Sequence, residues 1–154
     1  MTDNVHDVLL KFFKDEKWPA EESAELRVLR AGYQGKNGKA VCYAKWNEDD
    51  NLVTFYAVPQ LPVSREKISA LMEFITRANF GLPVGNFEVD LEDGELRFKA
   101  GIDVEGSQLD VPMVRQLVYS SLVTLDRYLP GLEGVLEHNE SPKDAVSRVE
   151  GLKN

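Results

Sequence analysis

One cysteine and two histidines are the residues of this chain best suited to nucleophilic catalysis. Cys42 falls in the middle of a predicted strand, with Ala40 and Ala44 on the same face. A cysteine nucleophile needs a base within hydrogen-bonding distance, whereas His6 and His138 lie in polar stretches near the two ends of the chain. We therefore interpret Cys42 as a small buried apolar residue, and we predict no catalytic residue.

Two acidic stretches have the composition of a metal or catalytic site but not its spacing. Residues 48–51 read Glu-Asp-Asp-Asn, whereas a calcium loop needs alternating ligands, a central glycine and a terminal glutamate. The carboxylates of residues 88–95 lie in a predicted hairpin beside Arg97 and Lys99. We interpret these carboxylates as part of an exposed network of ion pairs. A catalytic pair would need two carboxylates whose pKa values are well separated. We predict neither a metal nor a cofactor.

Aromatic side chains supply the best evidence in the sequence for a binding surface. The predicted strand at residues 52–58 is apolar on both faces, so either both sides of the sheet are covered or one side receives a partner. Exposed aromatic clusters are typical of protein interfaces. The residues predicted to bind a partner or a second copy are Tyr43, Trp46 and Tyr56. Coverage by the first helix or by the tail is an equally good interpretation.

Helical periodicity predicts four helices, which begin near residues 5, 64, 110 and 142. The third is a long apolar stripe that contains Pro130. A proline there frees the carbonyl of Asp126 and is expected to kink or restart the helix. The fourth begins at Ser141-Pro142, and we treat residues 141–154 as a candidate separate tail helix.

Three strands at residues 26–33, 40–46 and 52–58 are separated by turn-forming sequences and predict an antiparallel meander. Two further strands follow the second helix. The predicted order is therefore α-β-β-β-α-β-β-α-α, in a single α+β domain over residues 1–154. Its antiparallel sheet has about five strands, with the helices on one face.

The last two strands surround Asp93-Gly94, which is typical of a two-residue hairpin loop. This loop would place Glu88 opposite Lys99, with opposite charges paired on one face of the sheet. Leu91 would then lie on the other face, which is wholly apolar. A slip of one residue would move the charges into the core, so the pattern predicts one buried and one solvated face.

Charge and composition make several classes of function improbable. The chain has 18 Lys and Arg against 26 Asp and Glu, for a net charge of −8. This charge repels phosphate backbones, so we predict no nucleic-acid partner, and it favours a protein partner with basic flanks. No apolar run is long enough to cross a membrane. A single cysteine and the lack of a signal-peptide pattern predict a cytoplasmic protein.

Three segments carry a resemblance to a known family, namely residues 85–90 (GNFEVD), 93–98 (DGELRF) and 126–130 (DRYLP). They resemble the YbjN-like family of bacterial proteins, over the second half of the chain. The resemblance implies a fold similar to that of the type III secretion chaperones, small acidic α+β proteins that often dimerise and hold a partner chain in extended form. The family is described as sensory-transduction or stress regulators, and it supplies no catalytic or ligand residues to transfer.

The sequence therefore predicts a non-enzymatic protein-interaction module, chaperone-like or regulatory, that also forms a homodimer. It would bind an apolar segment of a partner protein, either by strand addition at a sheet edge or in a groove against a helix. The alternative is a small-molecule binder or enzyme, with a pocket between the sheet and the long helix near Pro130. Carbonyl groups freed by the proline would line that pocket.

Overall fold

The computed structural model describes residues 4–151, which form an antiparallel sheet of six strands and four α-helices. A single 3-10 turn leads into the second helix. The helices are α1 (Val5–Asp15), α2 (Ile68–Phe80), α3 (Val111–His138) and α4 (Pro142–Val149). The strands are β1 (Glu21–Ser23), β2 (Val28–Gln34), β3 (Lys39–Asn47), β4 (Leu52–Pro59), β5 (Asn86–Val89) and β6 (Leu96–Asp103).

Helix α1 is capped at its N-terminus by the side chain of Asn4. The side chain of Asn4 accepts a hydrogen bond from the backbone N–H of Asp7 at 2.8 Å, which satisfies one of the unpaired groups of the first turn. The apolar stripe predicted from the sequence is buried against α3 and β3. Its buried residues are Val5, Val8, Leu9, Phe12 and Phe13.

The strand order across the sheet is β1-β2-β3-β4-β6-β5. The predicted α+β fold, with an antiparallel sheet and helices on one face, is confirmed. The sheet has six strands rather than about five, because Glu21–Ser23 pairs with the start of β2. This three-residue strand is polar throughout, so no apolar alternation marks it in the sequence. The last strand in the sequence, β6, lies between β4 and β5.

The strand register shows which side chains share each face of the sheet, and the two faces have different surroundings. One row runs across the covered face, beneath the helices, and consists of Leu29, Ala44, Phe55 and Ala100. The neighbouring row runs across the opposite face and consists of Arg30, Tyr43, Tyr56 and Lys99. We call this second side the open face, because its central side chains line a surface groove to which no helix of residues 4–151 contributes.

The β5–β6 hairpin differs from the prediction in its register. Residues 90–95 join the two strands in place of a two-residue loop, and Glu88 lies opposite Arg97 instead of Lys99. Because the pairing shifts by two residues, each strand residue keeps its predicted face. Leu91 does not, since it leaves the ladder and is 60% exposed.

Local hydrogen bonds in the connecting turn explain this difference. A side-chain oxygen of Asp90 accepts from the N–H of Glu92 at 2.8 Å, and one of Asp93 accepts from the N–H of Glu95 at 2.8 Å. Aspartates that bond to a backbone N–H two residues ahead compete with strand pairing. Gly94 adopts φ +78° within the same turn, as glycine readily does.

Helix α3 runs through Pro130 without the expected restart. The proline lacks the N–H that would pair with the carbonyl of Asp126, and the side-chain amide of Asn37 donates to that carbonyl at 2.9 Å instead. The backbone N–H of Asn37 also donates to a carboxylate oxygen of Asp126 at 2.8 Å. The β2–β3 turn is therefore docked on α3 at the position where the helix would otherwise be weakened.

The predicted tail helix packs on its own chain. Ala145 and Val146 of α4 are buried, and α4 contacts both α2 and α3. Arg127 of α3 donates hydrogen bonds to the carbonyls of Val149 and Glu150 at the end of α4. The assignment of residues 1–154 to one domain stays a prediction, and residues 152–154 lie outside the described part of the chain.

Candidate protein-binding surfaces

The residues considered for catalysis do not form a cluster. Cys42 is buried on the covered face. A ring nitrogen of His6 lies 2.6 Å from a carboxylate oxygen of Glu22, and its ring stacks on Trp46 with centroids 4.2 Å apart. His138 is exposed at the end of α3. Within residues 4–151, no group of three or more His, Cys, Asp and Glu side chains is placed to hold a metal ion.

Burial of Cys42 has a measurable consequence at alkaline pH. Burial raises the pKa of its thiol from 9.0 to about 12. The folded chain therefore keeps this proton at a pH where the unfolded chain releases it. We expect Cys42 to make the free energy of unfolding fall as pH rises from 9 towards 12, by up to about 1.4 kcal/mol per pH unit.

Urea denaturation of the wild type and of Cys42→Ala at a series of pH values tests this expectation. All other ionisable groups are common to both chains, so the difference between the two curves isolates the thiol. Parallel curves up to pH 11 would show that Cys42 ionises in the folded state as it does in the unfolded state.

The surroundings of Pro130 do not favour the predicted alternative pocket. The freed carbonyl of Asp126 is already bonded to Asn37. At Gly131, an added Cβ would lie 2.9 Å from the ring of Phe74 and 3.0 Å from Val149, so helices α2 and α4 fill the adjacent space. Polar groups and packed helices thus occupy the position at which a small ligand would have to bind.

Unpaired backbone groups at the sheet edges are the next candidates for binding, since an open edge can accept an additional strand. On the β1 side, the indole N–H of Trp18 donates to the carbonyl of Gly32 at 2.8 Å. On the β5 side, the side-chain amide of Asn79 both accepts from the N–H of Phe87 at 2.7 Å and donates to its carbonyl at 2.9 Å. Side chains therefore cap part of each outer edge.

The second half of β6 pairs with β4 on one side but lacks a neighbouring strand on the side of β5. Strand β5 begins at Asn86, opposite Lys99, because Gly85 at φ +75° turns the chain away. Backbone groups on one strand alternate between its two neighbours. The backbone N–H and C=O of Lys99 point towards β5. Those of Gly101 and Asp103 therefore point in the same direction, but β5 does not extend far enough to pair with them.

An apolar groove of about 410 Å³ lies beside this open segment, between β6 and α3. We call it the edge groove. It is lined by Val84, Gly101, Ile102, Met113, Gln116, Leu117 and Ser120. Phe80, at the end of α2 and four residues before Val84, is 95% exposed. A phenylalanine so fully exposed is unusual in a folded chain and is typical of a residue that a partner covers.

A second groove lies at the centre of the open face. Tyr43 and Tyr56 are directly opposite each other on β3 and β4 and form its floor, and its volume is about 320 Å³. We call it the tyrosine face. Leu26, which is 67% exposed, lies among its lining residues. The guanidinium of Arg97 lies 4.3 Å from the centroid of the Tyr56 ring, a cation–π contact that fixes this ring at the surface.

The structure separates Trp46 from the two tyrosines. Trp46 is 4% exposed and lies on the covered face, where it stacks on His6 of α1. This placement corrects the expectation that Trp46 could join a surface patch with Tyr43 and Tyr56. The interpretation that the first helix covers part of the aromatic set is correct for Trp46. Binding of a partner by the two tyrosines stays a prediction.

The charged residues of the hairpin form an ion-pair lattice. The carboxylate of Glu88 lies 3.0 Å from the amine of Lys99 and also bonds to Arg97. Partial burial alone would raise the pKa of Glu88, but the hydrogen bonds from Lys99 and Arg97 and their positive charges lower it overall. Glu88 therefore stays ionised and paired, which is the structural role expected from the sequence.

Comparison of the sequence with known protein families gives a match. Residues 6–134 match the family described as "Putative bacterial sensory transduction regulator", YbjN. The chain belongs to the YbjN family. The residues matched extend from α1 into the second half of α3, and so include both grooves. No curated protein matches the chain by sequence.

Two solved structures share the fold of this YbjN-family chain. One is YbjN from E. coli, described as "a putative transcription regulator", with a TM-score of 0.63 and 16% identity over 89% of this chain and 95% of that chain. Another is the Yersinia pestis type III secretion chaperone SycH in complex with a stable fragment of YscM2. Its TM-score is 0.55, with 13% identity over 80% of this chain and 98% of that chain.

The family description indicates a regulatory module, and the two solved structures show its fold. None of the helices within residues 4–151 combines the length and the apolar character that a membrane span requires.

Proposed function

We propose that this YbjN-family chain captures an extended apolar segment of a partner protein in the edge groove. The observation that carries the proposal is the edge of β6 that β5 leaves open, beside an apolar groove against α3. A bound segment would pair its backbone with Gly101 and Asp103. Its alternate side chains would then pack between Ile102 and Met113.

The remaining edges of the sheet favour this location. Trp18 and Asn79 occupy backbone groups at the two outer edges, and β1 is only three residues long and carries two glutamates. Short, charged or capped edges discourage strand addition. Of the edges that the structure describes, the end of β6 combines unpaired backbone groups with apolar side chains close by.

Such a module would regulate its partner through occupancy of the edge groove. A partner segment held as an extra strand is withdrawn from its other interactions until it is released. This mode of action needs no reactive group, which agrees with the burial of Cys42 and the pairing of Glu88.

Gly101→Pro is expected to weaken capture by at least about tenfold, because proline removes an edge donor and its ring obstructs a neighbouring strand. The N–H of Gly101 points away from β4, so the substitution breaks no existing ladder bond. A phage-displayed library of random peptides, selected on the wild-type chain, supplies the ligands. Their affinities for each variant are then measured by fluorescence anisotropy.

Gly101→Ala is the matched control. A Cβ at residue 101 would lie 3.5 Å from its nearest neighbour, an ordinary contact, so this variant keeps both the fold and the edge donor. We expect it to bind as the wild type does. Peptides that bind Gly101→Pro as tightly as Gly101→Ala would refute capture at the β6 edge, and so would a selection that enriches no peptide.

Two further features belong to the proposal. A second copy of the chain is one occupant that the open end of β6 can accept, which is the homodimer expected from the sequence. Sedimentation of the wild type and of Gly101→Pro distinguishes this dimer from a monomer. The proposal also places the protein in the cytoplasm, where a free buried thiol such as Cys42 stays reduced.

A further inference from the structure

The tyrosine face is surrounded by positive charge on a chain whose net charge is −8. Arg30 lies directly opposite Tyr43 in the register, and Lys99 lies directly opposite Tyr56. The cations around the tyrosine pair are Arg30, Lys45, Arg97 and Lys99. Among the residues that line the groove, Lys45 and Arg97 outnumber the single acidic residue, Glu95, so the lining carries a net charge opposite in sign to that of the whole molecule.

Of the acidic residues near the groove, Glu95 is the one that lines it. Glu88 is bonded to Lys99 and Arg97. Glu95 lines the groove just before β6, Glu21 lies opposite Arg30 in the register of β1 and β2, and Asp103 ends β6. Among residues 4–151, neither Arg30 nor Lys45 forms an ion pair. These two cations are therefore available to a ligand.

We propose that the tyrosine face binds an acidic segment of a partner protein, at a site separate from the edge groove. An apolar side chain of that segment packs on Tyr43 and Tyr56, and its flanking carboxylates pair with Arg30 and Lys45. Net charge alone predicts a partner with basic flanks. The local arrangement of charges reverses that expectation at this groove.

Charge also argues against two other occupants. Two copies of the chain docked through this face would bring like charges together. A nucleic acid extends well beyond the groove, and the acidic remainder of the surface would repel its phosphates. A short acidic segment meets only the local cations, because salt screens charges more than about 8 Å away at physiological ionic strength.

Two fluorescein-labelled peptides test the proposal on the full chain. They share one core of alternating leucine and threonine, and are flanked either by aspartates or by lysines. By anisotropy at about 50 mM salt, where screening is weak, the aspartate peptide is expected to bind at least about tenfold more tightly than the lysine peptide. Arg30→Gln/Lys45→Gln should reduce this preference to less than about twofold.

Lys14→Gln/Lys143→Gln is the matched control, because it removes the same charge from exposed helix positions and should keep the preference. Tyr43→Ser/Tyr56→Ser should weaken binding of the aspartate peptide, whereas Gly101→Pro should not. Failure at this site is thereby distinguished from failure at the edge groove.

Any of the following results would overturn the proposal. One is a lysine peptide that binds as tightly as the aspartate peptide, or no binding of either. Another is an unchanged preference in Arg30→Gln/Lys45→Gln. The last is a thymidine oligonucleotide that displaces the aspartate peptide at equal concentration, which would assign the face to nucleic acid.

Discussion

Gly131→Val is expected to destabilise the fold by about 3 kcal/mol, because three helices meet at a residue with no room for a side chain. A Cβ at Gly131 would lie 2.9 Å from the ring of Phe74 on α2 and 3.0 Å from Val149 at the end of α4. Phe74 is fully buried, so its ring cannot swing into solvent. The helices must then separate or the ring must leave its rotamer. Urea denaturation measures the loss.

Two variants make this result specific to packing. Gly81→Val places the same side chain where nothing lies within 4 Å of the added Cβ, and its effect should stay within about 0.5 kcal/mol. Phe74→Leu makes space beside Gly131, so it should recover part of the loss in the Gly131→Val background. Additive effects of the two substitutions would show that the ring and the valine do not compete for one space.

Asn79→Ala is expected to cost about 2–3 kcal/mol, because one side chain pairs with both backbone groups of Phe87. The two hydrogen bonds measure 2.7 and 2.9 Å and are partly shielded from water. Without Asn79, the N–H of Phe87 loses its partner at the outer edge of β5. Urea denaturation measures the loss in the free energy of unfolding. Hydrogen exchange at the Phe87 amide shows whether that loss arises at this edge of the sheet.

Arg77→Ala, an exposed substitution on the same helix, serves as the control and should leave Phe87 protected. If the Phe87 amide exchanges equally slowly in Asn79→Ala, the asparagine does not cap this edge. We also expect Asn79→Ala to associate more readily than the wild type, since its β5 edge is then open to strand pairing.

Sequence patterns predicted most of the elements because their signals are local. The apolar stripe around Phe12 needs only helical spacing to be recognised, and the core alternation of β6 needs only a period of two. The same period, applied within β3, already places Tyr43 and Trp46 on opposite faces. Alternation does not reveal which of the two faces the helices cover, since that depends on contacts between distant parts of the chain.

Features that depend on competing interactions were not predictable in this way. The Asp93-Gly94 pair is typical of a tight hairpin, but hydrogen bonds to the side chains of Asp90 and Asp93 lengthen the connection. The edge groove was missed because it arises where β5 ends and β6 continues. Gly85, immediately before β5, is the one sequence signal that could have marked this end.

The position of β6 also affects how the chain folds during its synthesis. The N-terminal strands through β4 leave the ribosome first, but the second neighbour of β4, β6, is the last strand to be made. At about 5–20 residues per second, the chain from β4 to the end of β6 takes roughly 2–9 s to synthesise. During that interval β4 can pair with β3, but its other edge has no partner. Chains growing side by side on one messenger RNA would be most exposed to mispairing at that stage.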